Sequence, residues 1–147
     1  MNPGQHTLQG TNTYLIGTSS EKILIDTGED VTSVKYVKYL FDVVFPKTNT
    51  THLKSILLTH GHSDHQGGVL EILKICKQRG LPTPVIYKNI VLGGEFPAKG
   101  FAVEHIRHLD RFEVSGAHLR AVYTPGHTDD HVAFILEVTP IVNNLSF

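Results

Sequence analysis

Four residues able to ligate a metal fall within six positions, in the run His60-Gly61-His62-Ser63-Asp64-His65. Imidazole nitrogen and carboxylate oxygen suit zinc at about 2.0 to 2.2 Å, and a hydrolytic zinc site joins three protein ligands to a position left open for water. In extended backbone, residues i and i+2 point the same way, so His60 and His62 can grip one ion while Gly61 lets the chain pass close beside it. Asp64 and His65, rounding the turn, point to a neighbouring position. A third imidazole for the first ion has to come from far along the chain. The best candidate is His127, on the turn Thr124-Pro125-Gly126-His127-Thr128. An ion so held lowers the pKa of a bound water toward about 7 and polarises the carbonyl or phosphoryl oxygen under attack. The chemistry expected is therefore zinc-dependent hydrolysis with no side-chain nucleophile.

The elements that must position these groups are legible around them. Residues 8–17 and 22–26, rich in Thr, Tyr, Ile and Leu and separated by Thr18-Ser19-Ser20-Glu21, predict a hairpin. The run Ile23-Leu24-Ile25 is apolar throughout, as in a strand covered on both faces. Val34, Val37, Phe41 and Val44 recur at helical spacing, and Pro46 is expected to stop that helix. A second buried strand over 54–59 delivers the histidine cluster at its carboxyl end. Gly67-Gly68 then opens a helix with Val69, Ile72, Leu73, Ile75 and Cys76 on one face, ended by Gly80 and Pro82. Its N-terminus carries partial positive charge that suits an anion nearby. Strands are further expected over 84–88, 118–124 and 132–136, with an exposed loop over 89–100, whereas 101–114 fits no single pattern. Strands alternating with helices predict an α/β fold in one layer. A surface loop with chance histidines is the bland alternative, and a buried strand before the cluster with a helix after it argues against that.

Composition narrows the partners. The 147 residues carry 13 basic and 14 acidic side chains, a formal charge of −1 that offers no field for nucleic acid or anionic lipid. No apolar run approaches the roughly 18 residues of a membrane helix, and no signal-peptide pattern follows Met1-Asn2-Pro3-Gly4, so neither membrane insertion nor export is expected. The single Cys76 cannot form an internal disulfide, suits a reducing compartment and reads as core of its helix. Of the ten histidines, His6, His52, His105, His108 and His118 lack partners at ligand spacing and are expected to be surface or satisfied residues. Asp26 is expected to bond neighbouring backbone in its turn. Gly93-Gly94 lacks the strand-to-helix setting of a phosphate cradle.

The run 59–68, Thr-His-Gly-His-Ser-Asp-His-Gln-Gly-Gly, resembles the metal loop of the metallo-beta-lactamase superfamily, and residues 124–128 resemble its next ligand turn. His65 makes the chain more similar to the glyoxalase II and nuclease branches. The segments 8–15, 25–28 and 124–131 further resemble the beta-lactamase-like protein 2 group, endoribonucleases acting on single-stranded RNA in the mitochondrial matrix. The resemblance, spanning about residues 2–137, implies an αββα sandwich of two sheets flanked by helices, of which the chain holds roughly the N-terminal half as one incomplete domain over 1–137 with a divergent tail over 138–147. It implies that His60, His62 and His127 hold a first zinc, that Asp64 and His65 form part of a second, and that Asp64 orients the attacking hydroxide. It assigns Asp129, Asp130 and His131 to support rather than coordination. A bridging aspartate and a further histidine, which family members place after the strand over 132–136, have no counterpart before Val138-Thr139-Pro140, and a strand before Asn2 is missing too. The second site is therefore expected to be incomplete and the chain a truncated product. Three functions follow as expectations: an endoribonuclease with single-stranded RNA as substrate and no DNA partner, in the mitochondrial matrix or alternatively the cytosol; a thioester hydrolase of the glyoxalase II kind; or an inactive fragment with a residual metal site.

Overall fold

Residues 23–25 and 55–57 are buried one after another because both faces of the strands they build are covered. The computed structural model describes residues 10–92, 94 and 100–137 of the chain. A first sheet runs in the order β1 (Tyr14–Ile16), β2 (Glu21–Ile25), β3 (His52–Leu57), β4 (Val85–Lys88) and β5 (Glu104–His105). The β1–β2 pair is antiparallel, and every later pair in this sheet is parallel. The pleat sorts its side chains. Leu24, Ile56 and Ile86 lie side by side in register and face a helical layer, where they pack with Val37, Phe41, Phe45, Val69, Ile72 and Cys76. Ile23, Ile25 and Leu57 face the other way and meet Val114, Ala117 and Leu119 of a second sheet.

That second sheet is an antiparallel meander of β6 (Arg111–Val114), β7 (Ala117–Tyr123) and β8 (Val132–Glu137). The expectation of a single layer is corrected here. No helix separates these strands, so they pair as hairpins instead of joining the parallel sheet, and alternate residues of β7 bury one face only. The architecture is helices, sheet, sheet, the α/β/β portion of the expected sandwich. The outer face of the second sheet carries Arg120 paired with Glu137 at 2.8 Å and His118 with Glu113 at 3.3 Å.

The crossover from β2 to β3 differs from the simple helix expected. A 3-10 turn (Asp30–Thr32) leads into α1 (Ser33–Tyr39), a π turn (Leu40–Val44) and a short α2 (Phe45–Lys47). Pro46 therefore does not stop the helix. It sits in the first turn of α2, where its missing N–H is not needed, and the widened π ladder before it relieves the ring's clash with the preceding turn. Val34, placed on the apolar stripe by spacing, is exposed. The crossover from β3 to β4 begins earlier than expected, with α3 (Ser63–Gln66), before α4 (Val69–Gln78). The ambiguous segment 101–114 resolves into β5 and β6. Residues 8, 9, 93, 95–99 and the tail over 138–147 lie outside the described residues, as does His6. Among the described residues no helix is long and apolar enough to cross a membrane.

Ile56 is fully buried at the centre of the Leu24–Ile56–Ile86 ladder. Ile56→Ala should lower the free energy of unfolding by about 2 to 5 kcal/mol. Val31→Ala, at a side chain 83% exposed, should change it by less than about 0.5 kcal/mol. Urea denaturation followed by circular dichroism measures both.

Candidate metal centre

β2 and β3 are parallel neighbours, so the loops that leave their carboxyl ends emerge side by side. Asp26 leaves β2 with φ of 56°, a left-handed conformation that aspartate tolerates better than most residues, and its N–H donates to Leu57 O at 3.0 Å. Its buried carboxylate then accepts from the Thr59 N–H and the Thr59 hydroxyl, each at 2.8 Å, and from His65 Nδ1 at 2.7 Å. The aspartate expected to bond its own turn instead ties together residues 33 and 39 positions away.

These bonds orient the imidazoles. The single hydroxyl proton of Thr59 goes to Asp26, so the contact between Thr59 Oγ1 and His60 Nδ1 at 2.9 Å has the imidazole as donor. That leaves the lone pair of His60 on Nε2, which lies 3.0 Å from His62 Nδ1. His127 Nε2 lies 3.1 Å from the same atom. One nitrogen from each of His60, His62 and His127 falls within 4.8 Å of the others, a convergence suited to one cation. His60 is buried, His62 half-buried and His127 exposed, so the cluster is reachable from one side.

Beside it, His62 caps α3 from extended backbone, and the helical turn carries Asp64 and His65, whose ring centre lies 4.0 Å from that of His60. With Nδ1 donating to Asp26, a neutral His65 presents its Nε2 lone pair to Asp64 Oδ2 across 3.3 Å. Two lone pairs so placed are reconciled by a proton or by a cation; among the described residues, the group of three or more converging ligand atoms is that of His60, His62 and His127, without Asp64 and His65. Thr11 donates to the same Asp64 oxygen at 2.6 Å. The backbone here has no spare room: a Cβ on Gly67 would lie 2.3 Å from Asp30 N, and one on Gly68 2.3 Å from Thr27 O. The Gly68 N–H, expected to be open to an anion, donates to Thr27 Oγ1 at 3.1 Å.

His127 reaches the cluster on a turn fastened at several points. Thr124 N donates to His131 O at 2.9 Å, Val132 N to Thr59 O at 2.8 Å, and Tyr123 OH to Asp129 O at 2.8 Å. Lys88, the last residue of β4, forms a buried ion pair with Asp130. His131 bonds Thr124 Oγ1 through Nδ1 at 2.8 Å, with its ring centre 5.0 Å from that of His60. Asp129 is exposed. Sequence reasoning passed over Thr59, Thr11 and Lys88. Adjacency to His60 could have flagged Thr59; nothing in the sequence links Thr11 to Asp64 or Lys88 to Asp130. The remaining described histidines have partners elsewhere: His52 with Glu21, His118 with Glu113, and His105 and His108 with the N–H groups of Ile90 and Tyr123.

Burial, then the neighbouring rings of His65, His62, His131 and His127, push the His60 pKa down to about 3, so its lone pair is available at neutral pH. Burial also disfavours a charged His65, but the Asp26 hydrogen bond and the charges of Asp26 and Asp64 outweigh it and raise that pKa. For Asp64, burial pushes up, yet the Thr11 hydrogen bond and His65 hold the carboxyl below its usual range, and it is ionised at neutral pH.

Lys88→Met alone leaves Asp130 buried without its cation and should cost about 3 to 5 kcal/mol of stability, whereas Lys88→Met combined with Asp130→Leu should recover most of it. Denaturant melts of the three proteins decide the point. In chelator-treated protein, His60 stays neutral while the unfolded chain takes up its proton. Its contribution to stability is complete above about pH 6.5 and is lost as pH falls from there toward 3. His65 runs the other way, complete below about pH 6.5 and fading as pH rises through its raised pKa. The Tm should therefore fall between pH 6.5 and 4, and less steeply in His60→Asn; equal slopes in thermal melts would refute the assignment.

Residues 6–142 match the Metallo-beta-lactamase superfamily. The chain is 38% identical over 136 residues to the Atrochrysone carboxyl ACP thioesterase of Passalora fulva, a match covering 92% of this chain and 36% of that protein. It is 41% identical over 138 residues to Thioesterase pkgB of Emericella nidulans, covering 92% and 35%. In fold it is similar to a metallo-beta-lactamase of Cronobacter sakazakii with a HARLDQ motif, at a TM-score of 0.69 and 16% identity over 89% of this chain and 50% of that one. The chain spans about a third of the length of the two thioesterases it matches. With the sandwich, the histidine motif and a family match over nearly its whole length, the chain belongs to the metallo-beta-lactamase superfamily.

Proposed function

We propose that the chain is the metal-binding part of a zinc-dependent hydrolase that cleaves an acyl thioester, with His60, His62 and His127 as ligands of one ion and Asp64 and His65 as ligands of a second. The observation that carries the hydrolase reading is the meeting of three imidazole nitrogens, from two segments 65 residues apart, within 4.8 Å. The similarity to two proteins named as thioesterases supports the choice of bond. In the reaction, water oxygen adds to the thioester carbonyl carbon, the carbon–sulfur bond breaks, and a carboxylic acid and a thiol leave. Zinc, when bound, supplies Lewis-acid polarisation of the carbonyl and makes water more acidic. The chain's own residues arrange the rest. Asp26 and Thr59 hold His60 and His65 in the tautomers that present Nε2. Asp64, ionised and steadied by Thr11, would accept a hydrogen bond from the attacking water. Cleavage of single-stranded RNA rests on the likeness of segments 8–15, 25–28 and 124–131 to an endoribonuclease group, which the names of these relatives do not favour, and a formal charge of −1 adds no phosphate-binding field.

Purified chain loaded with zinc should release thiol from a benzoyl thioester, read with a thiol-reactive dye, and should leave labelled single-stranded RNA intact. Chelator should abolish the release. His127→Ala should lower zinc affinity by more than the about 10 to 100-fold typical of residues that merely orient ligands. RNA cleavage without thiol release would replace the thioester by a phosphodiester, and zinc binding below one equivalent per chain with neither activity would leave the inactive-fragment reading.

A further inference from the structure

Beyond the metal turn lies a cavity with apolar walls and basic side chains beside them. It measures about 350 Å³ and is lined by Ile90, Val91, Ile106, Tyr123 and Val132, with Asn89 and three basic side chains, His105, Arg107 and His108. That volume lies within the about 300 to 1,000 Å³ of small-ligand sites, and an apolar cavity of about 150 Å³ already admits benzene. Among the described residues, none that lines it bears a carboxylate.

The two histidine rings are held in place before any ligand arrives. His105 Nδ1 accepts the Ile90 N–H at 3.0 Å, and His108 Nδ1 accepts the Tyr123 N–H at 3.2 Å, so each ring carries its proton on Nε2 as a donor. Between them, Arg107 stands on a turn pinned by its own N–H to Asp110 Oδ2 at 2.7 Å, by Asp110 N to Arg107 O at 3.1 Å and by Leu109 N to Ala121 O at 2.8 Å. Leu109 takes φ of 70° to close that turn, a conformation an L-leucine adopts only when its surroundings enforce it. A guanidinium with two N–H donors beside it recognises a carboxylate or phenolate oxygen.

The cavity shares its walls with the elements that carry the metal cluster. Val132 N bonds Thr59 O, whose side chain orients His60; Tyr123 OH bonds Asp129 O in the His127 turn; Asn89 follows Lys88, the partner of Asp130. Resting on the thioesterase reading, the geometry points to this cavity as the acyl-group pocket, selective for an aromatic acyl group that bears an acidic oxygen remote from the thioester.

Two measurements test it. Nitrogen-15-labelled protein titrated with benzoate should shift the side-chain signals of Arg107, His105 and His108 and saturate at a concentration at least tenfold lower than with benzamide, its uncharged counterpart. Arg107→Met should remove that difference, and Arg107→Glu should reverse it; Arg107 is exposed, so neither change threatens the core. Equal binding of the two probes, or shifts confined to other residues, would overturn the pocket. In the second measurement, 3-carboxybenzoyl and benzoyl thioesters of N-acetylcysteamine compete, and the wild-type preference for the carboxylated substrate should shrink about tenfold in Arg107→Met. Turnover without any preference overturns the pocket. Benzoate binding as described, with neither thioester cleaved, overturns the hydrolase reading and leaves the pocket standing.

Discussion

A single buried carboxylate organises the centre. Asp26 has lost most of its water, and the cost of that is met by three charge-assisted hydrogen bonds, from the Thr59 N–H, the Thr59 hydroxyl and His65. Each bond removes a freedom that metal binding could not tolerate. The hydroxyl proton is committed, so His60 must donate through Nδ1 and turn its other nitrogen toward His62 and His127. His65 is committed as well, and turns its free nitrogen toward Asp64. Tautomers that would otherwise exchange are set by a group that no metal need touch.

The two sheets supply what one could not. The first brings the β2 and β3 loops together because parallel neighbours end at the same edge, which accounts for Asp26, His60, His62 and His65. His127 comes from the second sheet, and its turn is held by two kinds of tie: backbone bonds from Thr124 and Val132, and the Lys88–Asp130 ion pair. The ion pair is the more demanding. Two desolvated charges stabilise little when matched and cost much when one is removed, so the pair sets the turn's position more than the domain's stability.

Family membership sets the fold and leaves the substrate to the surroundings of the site. Those surroundings differ by side. Toward α4, the crevice is closed by glycines that allow the backbone to touch. Beyond the turn, apolar walls and three basic side chains leave a cavity open. An acyl group would find room there between the apolar walls.

The sequence by itself determined the α/β class, the strand-loop-helix around residues 60–68 and the turn that carries His127 toward His60 and His62. These are local matters: residue type, spacing and glycine punctuation act over a few positions, and a short run of imidazoles and a carboxylate has few uses. Only the tertiary structure decided that strands 111–137 form a second sheet, that Pro46 lies within a helical stretch, and that Asp26 serves Thr59 and His65 rather than its own turn. Partners of Asp26, Lys88 and Thr11 are 33 to 53 residues away in the chain. Hydrogen bonds over such separations leave no periodic trace, because they are set by which strands pair and in what register, and those follow from burying both faces of a sheet at once.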